Sequence, residues 1–258
     1  MTRRTSFRRA PRVAAVVEYE AAGEKADLGV AQQLVACQGD GWSHALGELR
    51  RFYDEVTVRD APPPELLPAR HLLDLAAEPA PAAICELAGA YIASAQLLGR
   101  RTAEFHLALA SDTGTEGFAP DAWTGDDTAR VSADATAQLD RARALLASPA
   151  VLVPTGTTEA TRELLDHAAA TLHKGCGQEH AQPSMSRIRI RIHGDYHLGQ
   201  ILWAEGDFYI LDFEEEPARP LDERRRKESP VKDVAGMLRS FSYAAYAALF
   251  AHSAGRRS

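Results

Sequence analysis

The feature that most constrains this chain is the stretch from Arg187 to Pro217, RIRIRIHGDYHLGQILWAEGDFYILDFEEEP. Arg and Ile alternate from Arg187 to Ile192, the period of a half-buried strand. The alternation stops at His193-Gly194-Asp195. Ile201-Leu202-Trp203 and Phe208-Tyr209-Ile210-Leu211 then flank Glu205-Gly206-Asp207. Two apolar runs around a short Gly-containing turn predict a β-hairpin. Asp212 falls at the end of the second strand. Closing the hairpin therefore brings Asp195, Gln200 and Asp212 to one end of a small sheet.

That set of side chains suits phosphoryl transfer. One carboxylate must orient an attacking hydroxyl, and two oxygen ligands must hold Mg²⁺ against nucleotide phosphates. Kinases meet these needs with an H-R-D-x-x-x-x-N loop followed by D-F-G. Here His193-Gly194-Asp195 is followed by Gln200 and then by Asp212-Phe213-Glu214. Gln offers a neutral amide oxygen as Asn does, on a longer arm, and Mg²⁺ takes oxygen ligands. An isolated HGD would read as chance spelling in an acidic hairpin. The strand, HGD, Gln200, hairpin and Asp212-Phe213 together read as a site.

The motifs HGDYHLGQ (His193–Gln200) and LDFEEEPARPLDERRRKESPVKDVAGMLRSFSYAA, which starts at Leu211, carry a resemblance. With QGDGW (Gln38–Trp42) and LLGRRTAEFHLALAS (Leu97–Ser111) in support, the chain resembles the maltokinases from about Val13 to about Ala248. These are kinases of the aminoglycoside-phosphotransferase type, and they also occur fused to trehalose synthase. The resemblance implies an α+β, protein-kinase-like fold, with a mostly helical C-lobe, a catalytic β-hairpin and a remnant of the N-lobe sheet. It implies ATP and Mg²⁺ as cofactors, and maltose as the sugar phosphorylated to maltose 1-phosphate. Asp195 becomes the base, with His193 in the catalytic set. Gln200 and Asp212 become the metal ligands, and with the hinge residues Val35 and Ala36 they bind the nucleotide. Glu214, Arg219 and Lys227 become candidates for the sugar. Asp233 becomes the support of the HGD loop. Ala36-Cys37 and Glu215 depart from the family's usual hinge and DFEGEP patterns.

Composition adds exclusions. Hydrophobic content of 45% and charged content of 25% are ordinary for a globular chain. A net charge of −7 argues against a general nucleic-acid partner. No apolar run reaches transmembrane length. Cys37, Cys85 and Cys176 are odd in number and far apart, which suits reduced thiols in a cytoplasmic protein.

Along the chain, residues 1–12 carry five arginines and no acid and read as a disordered leader. Residues 13–41 read as two strands and a hinge, and residues 42–258 as the helical lobe. Within that lobe, one helix is expected from Trp42 to Val56, ended by Ala61-Pro62-Pro63-Pro64. A long one spans Ile84 to Leu109, with His106 expected as a hydrogen-bonded core residue. Two more span Val131–Ala147 and Thr158–His173. Ser111–Gly125 reads as a loop. Ser229-Pro230 opens a last helix whose expected buried face is Val231, Val234, Leu238, Phe241, Ala245 and Leu249. Asp233 sits in its first turn. The charge run Asp222–Glu228 reads equally as a solvated face or as a sugar-facing loop.

Two other readings stand beside the sugar kinase. His193, Asp195 and His197 could ligate a metal in a hydrolase. A non-catalytic module that binds a sugar or a partner is the other. The four lysines are Lys25, Lys174, Lys227 and Lys232, and none lies on a strand upstream of the strand pair within residues 13–35, where a kinase places its phosphate-binding Lys. The chain is thus expected to be an N-terminally shortened relative. Its expected partners are ATP, maltose, and either trehalose synthase or another chain supplying the N-lobe, with neither nucleic acid nor membrane.

Overall fold

The computed structural model describes residues 5–21, 24–59, 75, 78–111, 114, 117–148, 157–177, 188–213, 224 and 226–255. The chain forms two compact units, one of Met1–Pro120 with Ile190–Ser258 and one of Asp121–Arg189.

In the first unit, β1 (Val13–Ala21) and β2 (Glu24–Gln32) pair antiparallel, with Val16 opposite Val30. The described side chains of this hairpin face solvent: Val17 is 56% and Leu28 67% exposed. A second sheet has the order β3-β6-β7, from β3 (Gly39–Asp40), β6 (Ile201–Ala204) and β7 (Asp207–Ile210). The β6–β7 turn is two residues, Glu205 (φ 54°) and Gly206 (φ 74°). Two central residues at positive φ make the turn that matches the strands' right-handed twist. Ile201 and Ile210 lie opposite each other, both fully buried. The period-two pattern therefore puts one hairpin face into the core.

The helices of this unit are α1 (Gly41–Arg59), α2 (Ala82–Ala88), α3 (Ala90–Ala110) and α6 (Val231–Gly255). Asp40 caps α1 by accepting from Ser43 N–H at 2.7 Å. The single helix expected over Ile84–Leu109 is broken at Gly89, whose φ of 50° no helix allows. Leu98, Thr102, Phe105 and Leu109 of α3 enter the core with Ala45, Ile190, Leu198 and Met237.

Two expectations are corrected here. The described part of the Arg-rich leader, residues 5–12, is not free: Phe7 and Ala10 are each 5% exposed. Phe7 packs on Phe105 with centroids 5.8 Å apart. Ile210 N–H donates to Arg9 O at 2.8 Å, and Arg9 pairs with Asp207 at 2.7 Å. Arg9 also lies over the Tyr209 ring and donates to its hydroxyl. The apolar Phe7 and the unpaired edge of β7 explain why this charged segment is ordered.

The second correction concerns α6. Its buried residues are Asp233, Met237, Ser240, Ala244 and Ala248, whereas Val231, Val234, Leu238 and Leu249 are exposed. The helix is turned so that this polar and mixed-size set faces inward, and of the expected face Phe241 packs partly against the core. Close approach is the reason. A Cβ on Gly236 would come within 2.8 Å of Tyr196 O.

The second unit holds α4 (Gly125–Ala147) and α5 (Thr157–Gly177), packed on each other, and a short ladder of β4 (Asp121–Ala122) with β5 (Ile188–Arg189). Helix α4 begins six residues before the expected start, because Thr124 and Asp127 form a reciprocal capping box. Arg189 Nη1 donates to Asp127 at 2.9 Å. Of the strand expected over Arg187–Ile192, the described residues pair as a strand only over Ile188–Arg189. Beyond it, Ile190 in the first unit makes a single bridge, to Glu228. The proposed helix stop at Ala61–Pro64 and the loop Gln178–Ser186 lie outside the described residues.

Candidate active site

The loop from His193 to Gln200 is held from beneath by α6. Asp233 is 1% exposed and accepts from His193 N–H at 2.9 Å and from Gly194 N–H at 3.0 Å. Its Oδ2 is also 2.9 Å from His106 Nε2, so His106 is a hydrogen-bonded interior residue. Gly194, at φ 84°, makes the bend that turns both amides toward one carboxylate. A buried carboxylate with three donors is a strong anchor, since hydrogen bonds to charged groups exceed neutral ones.

The His193 side chain points inward and is fully buried. Its Nε2 lies 2.7 Å from Leu211 O, so that nitrogen carries the hydrogen and donates to the carbonyl. Nδ1 is buried and has no partner among the described residues. Burial lowers the imidazole pKa, against the opposing pull of the Leu211 carbonyl and of Asp233, Asp212 and Asp195. His193 therefore ties the Asp195 loop to the Asp212 segment as a neutral ring. The ring sits inside the fold, while Asp195 beside it is partly exposed. Phe105 and Phe213 pack around it, each with one ring centroid 5.6 Å from the other's and Phe213 also 5.6 Å from the His193 ring.

Asp195 and Asp212 remain reachable. The Asp195 side chain is 34% exposed. Gln200 and Asp212 come together, with Gln200 Nε2 donating to Asp212 Oδ2 at 3.0 Å. Leu211 N–H donates to Gln200 O at 2.9 Å, which carries the hairpin pairing one step past β6 and β7. Asp212 has φ 53°, a left-handed conformation that is uncommon outside Gly and costs energy. The two-oxygen set fits Mg²⁺ bound jointly with phosphates, because that ion takes one or two protein ligands and keeps waters and phosphates for the rest. The Gln200 amide must turn its oxygen toward the ion to serve. Among the described residues no group of three His, Cys, Asp or Glu could hold a metal. The His193–Asp195–His197 set of the hydrolase reading is not such a group: the His193 ring is fully buried, while the Asp195 and His197 side chains are 34% and 40% exposed.

The remaining expected residues are scattered. Val35 is half-buried and Ala36 exposed. Both line a cavity of about 840 Å³ with Arg8, Arg12, Ala204 and Tyr209. That cavity is at the turn end of the β6–β7 hairpin, whereas Gln200 and Asp212 are at its open end, about 10 Å away for a strand of this length. Lys227 is committed to Ala119 O at 2.5 Å. Glu214 and Arg219 lie outside the described residues. Sequence reasoning missed Arg101 and Asp207, which form a two-pronged pair at 2.8 and 2.7 Å behind the hairpin. An Asp beside the turn and an Arg on a helix more than a hundred residues earlier carry no shared local signal.

The architecture is a helix-rich α+β fold with a loop-and-hairpin site, and it has known counterparts. Structurally the chain is similar to glucosamine kinase. A glucosamine kinase solved with glucosamine, ADP and inorganic phosphate superposes with a TM-score of 0.65 at 23% identity, over 95% of this chain and 49% of that one. A second crystal form of a glucosamine kinase gives a TM-score of 0.64, over 95% of this chain and 47% of that one. In sequence, the chain is 38% identical over 61 residues to a glucosamine kinase of Streptacidiphilus jiangxiensis. It is 39% identical over 56 residues to one of Mycolicibacterium smegmatis (strain ATCC 700084 / mc(2)155). Each of these sequence matches covers 14% of the relative, and the chain spans about half the length of the solved structures. No family model matches. Among the described residues no helix is long and apolar enough to cross a membrane.

Proposed function

We propose that this chain carries the base and the metal ligands of a nucleotide-dependent sugar kinase of the aminoglycoside-phosphotransferase type. The observation that supports this most is the meeting of Gln200 and Asp212 next to a loop that presents Asp195, with the backbone of that loop anchored on Asp233. Asp195 orients a sugar hydroxyl and takes its proton. The hydroxyl oxygen bonds to the γ-phosphorus of ATP as the bond to the bridging oxygen breaks, and ADP leaves. Gln200 and Asp212 would hold Mg²⁺, which would supply charge neutralisation for the phosphates. Val35 and Ala36 contribute backbone contacts to the adenine of the nucleotide. Catalysis of this kind is mostly positioning and electrostatics.

The sugar in this reading is maltose, phosphorylated at its anomeric hydroxyl in cytoplasmic α-glucan and trehalose metabolism. The support is the run of motifs from His193 to Ala245, and trehalose synthase is the partner that goes with it. Glucosamine is the second reading. It is favoured by the two relatives named glucosamine kinase, whose matches to this chain are 38% and 39% identical. Glu214, Arg219 and Lys227 are the proposed sugar contacts, with Lys227 required to leave Ala119.

An ADP-release assay with Mg²⁺ and ATP tests the reading, run with maltose and with glucosamine on the chain and on its Asp195→Asn variant. Turnover by this chain is expected to be weak, since none of its lysines stands where a kinase places the phosphate-binding Lys, and the sugar-dependent rate should fall on the order of 10²- to 10⁴-fold in the variant, the range of general acid–base catalysis. Equal turnover by the two proteins would remove Asp195 as the base. Faster turnover of glucosamine than of maltose would select the second substrate.

A further inference from the structure

The structure assigns a positioning role to His197: it fixes the turn that delivers Gln200 and places its remaining ring nitrogen beside Asp195. This rests on the kinase reading above, and it concerns a residue that reading leaves without a task.

Leu198–Gln200 is a single 3₁₀ turn, and His197 is its cap. His197 makes both of the bonds that close it. Its backbone oxygen accepts from Gln200 N–H at 2.9 Å, and its Nδ1 accepts from Gly199 N–H at 3.0 Å. An isolated turn of this length has too few internal bonds to hold its shape alone. The cap shares the placing of Gln200 with Leu198 N–H, which donates to Ser240 Oγ at 3.1 Å, and with Leu211 N–H, which donates to Gln200 O at 2.9 Å.

The fit is tight. A Cβ on Gly199 would come within 2.9 Å of His197 Cε1 and 3.0 Å of Nδ1, so the ring occupies the space that the missing side chain leaves. Because Nδ1 accepts a hydrogen bond, the neutral ring carries its hydrogen on Nε2. Nε2 lies 3.8 Å from Asp195 Oδ2. One ring therefore faces the proposed base through one nitrogen and braces the proposed metal ligand through the other. Asn reproduces the Nδ1 acceptor with its side-chain oxygen but has nothing at the position of Nε2. Ala reproduces neither.

The test uses the 258-residue chain and its His197→Ala and His197→Asn variants. Amide hydrogen exchange is measured at Gly199 and Gln200, and ATP binding is measured with and without Mg²⁺. The account expects faster exchange at both amides in the Ala variant and near-normal exchange in the Asn variant. It expects the Mg²⁺ enhancement of ATP binding to fall on the order of 10- to 100-fold in the Ala variant, the range for residues that orient a metal ligand. The Asn variant should recover most of that enhancement. Unchanged exchange at Gly199 and Gln200 in the Ala variant would overturn the cap. Faster exchange with full Mg²⁺ enhancement would reduce His197 to a merely structural residue. A wild-type chain that binds ATP equally with and without Mg²⁺ would instead overturn the metal assignment of Gln200 and Asp212, whatever the exchange data show.

Discussion

Gln200 Nε2 donates to Asp212 Oδ2 at 3.0 Å, a contact between residues twelve apart in sequence. The β6–β7 hairpin makes it. Ile201 faces Ile210 in the ladder, and Leu211 N–H bonds Gln200 O just beyond it. Asp212 completes the approach with a left-handed backbone, φ 53°. Strain of this kind persists where the surroundings over-determine it, and it gathers at functional sites. Here the bonds of Leu211, through its N–H and through its carbonyl to His193, hold the segment just before it.

Asp233 should be the least replaceable side chain of the loop's support. Asp233→Ala removes the acceptor of His193 N–H and Gly194 N–H and leaves buried donors unsatisfied. A loss of about 3 kcal/mol in urea unfolding is expected, the scale for removing one partner from a buried charged network. A loss below about 1 kcal/mol would mean that water replaces the carboxylate without cost to the loop.

The hairpin and its polar end were legible because their signals are local. Alternating apolar residues, a Glu-Gly turn and Asp195, Gln200 and Asp212 at short offsets all fall within one stretch. Features set by distant packing were not legible. The apolar period of α6 suggests Val231, Val234 and Leu238 as its inner face. The helix instead buries Asp233, Met237 and Ser240, because the Tyr196 backbone packs against Gly236. The Arg-rich start reads as disordered by composition, yet Arg9 finds Asp207 and a free strand edge some two hundred residues away. The Thr124–Asp127 box was local but was hidden in a segment read as a loop, since its acidic member is Asp instead of the usual Glu or Gln.

Glu205 occupies a position suited to Gly or Asn. Its φ of 54° is uncommon for a side chain of that kind. Glu205→Asn creates the Asn-Gly pair favoured in such turns. Chemical unfolding should show a gain of about 0.5 kcal/mol, within the range for relieving backbone strain at one residue. A loss of stability would show that the Glu205 side chain makes contacts worth more than the strain.

Asp207 joins β7 to α3 and to residues 5–12 through Arg101 and Arg9. Burial pushes its carboxyl pKa up, but hydrogen bonds from Arg101 and from Phe208 N–H, with the charges of Arg9 and Arg101, bring it below the usual value. A double-mutant cycle on Arg101 and Asp207 should give a coupling of about 1–2 kcal/mol, above an exposed pair because the contact is two-pronged and half-buried. The Arg9–Asp207 coupling should be smaller, since Arg9 is more exposed. The reverse order would contradict the assignment of Arg101 as the main partner.

Asp127 predicts an acid limb in stability. Its carboxyl is held at about 2, below an ordinary 3.8, by hydrogen bonds from Thr124 N–H and Oγ1 and by Arg189, against burial. Above 3.8 both folded and unfolded states are ionised there, and its stabilisation is fully present. As pH falls from about 4 to about 2 the unfolded chain takes up the proton first, so stability is lost across that window. Unfolding curves from pH 5 to pH 2 should show less pH dependence in Asp127→Asn than in the wild type. Parallel curves would contradict the shift.

The account rests most directly on the paired oxygens of Gln200 and Asp212 binding a nucleotide through Mg²⁺. Calorimetric titration of ATP into the chain, with Mg²⁺ and with a chelator, measures this without requiring turnover. The account predicts tighter binding with Mg²⁺ in the wild type, and loss of that difference in Asp212→Ala with the fold intact. Equal affinity with and without Mg²⁺, or a Mg²⁺ effect that survives Asp212→Ala, would contradict it.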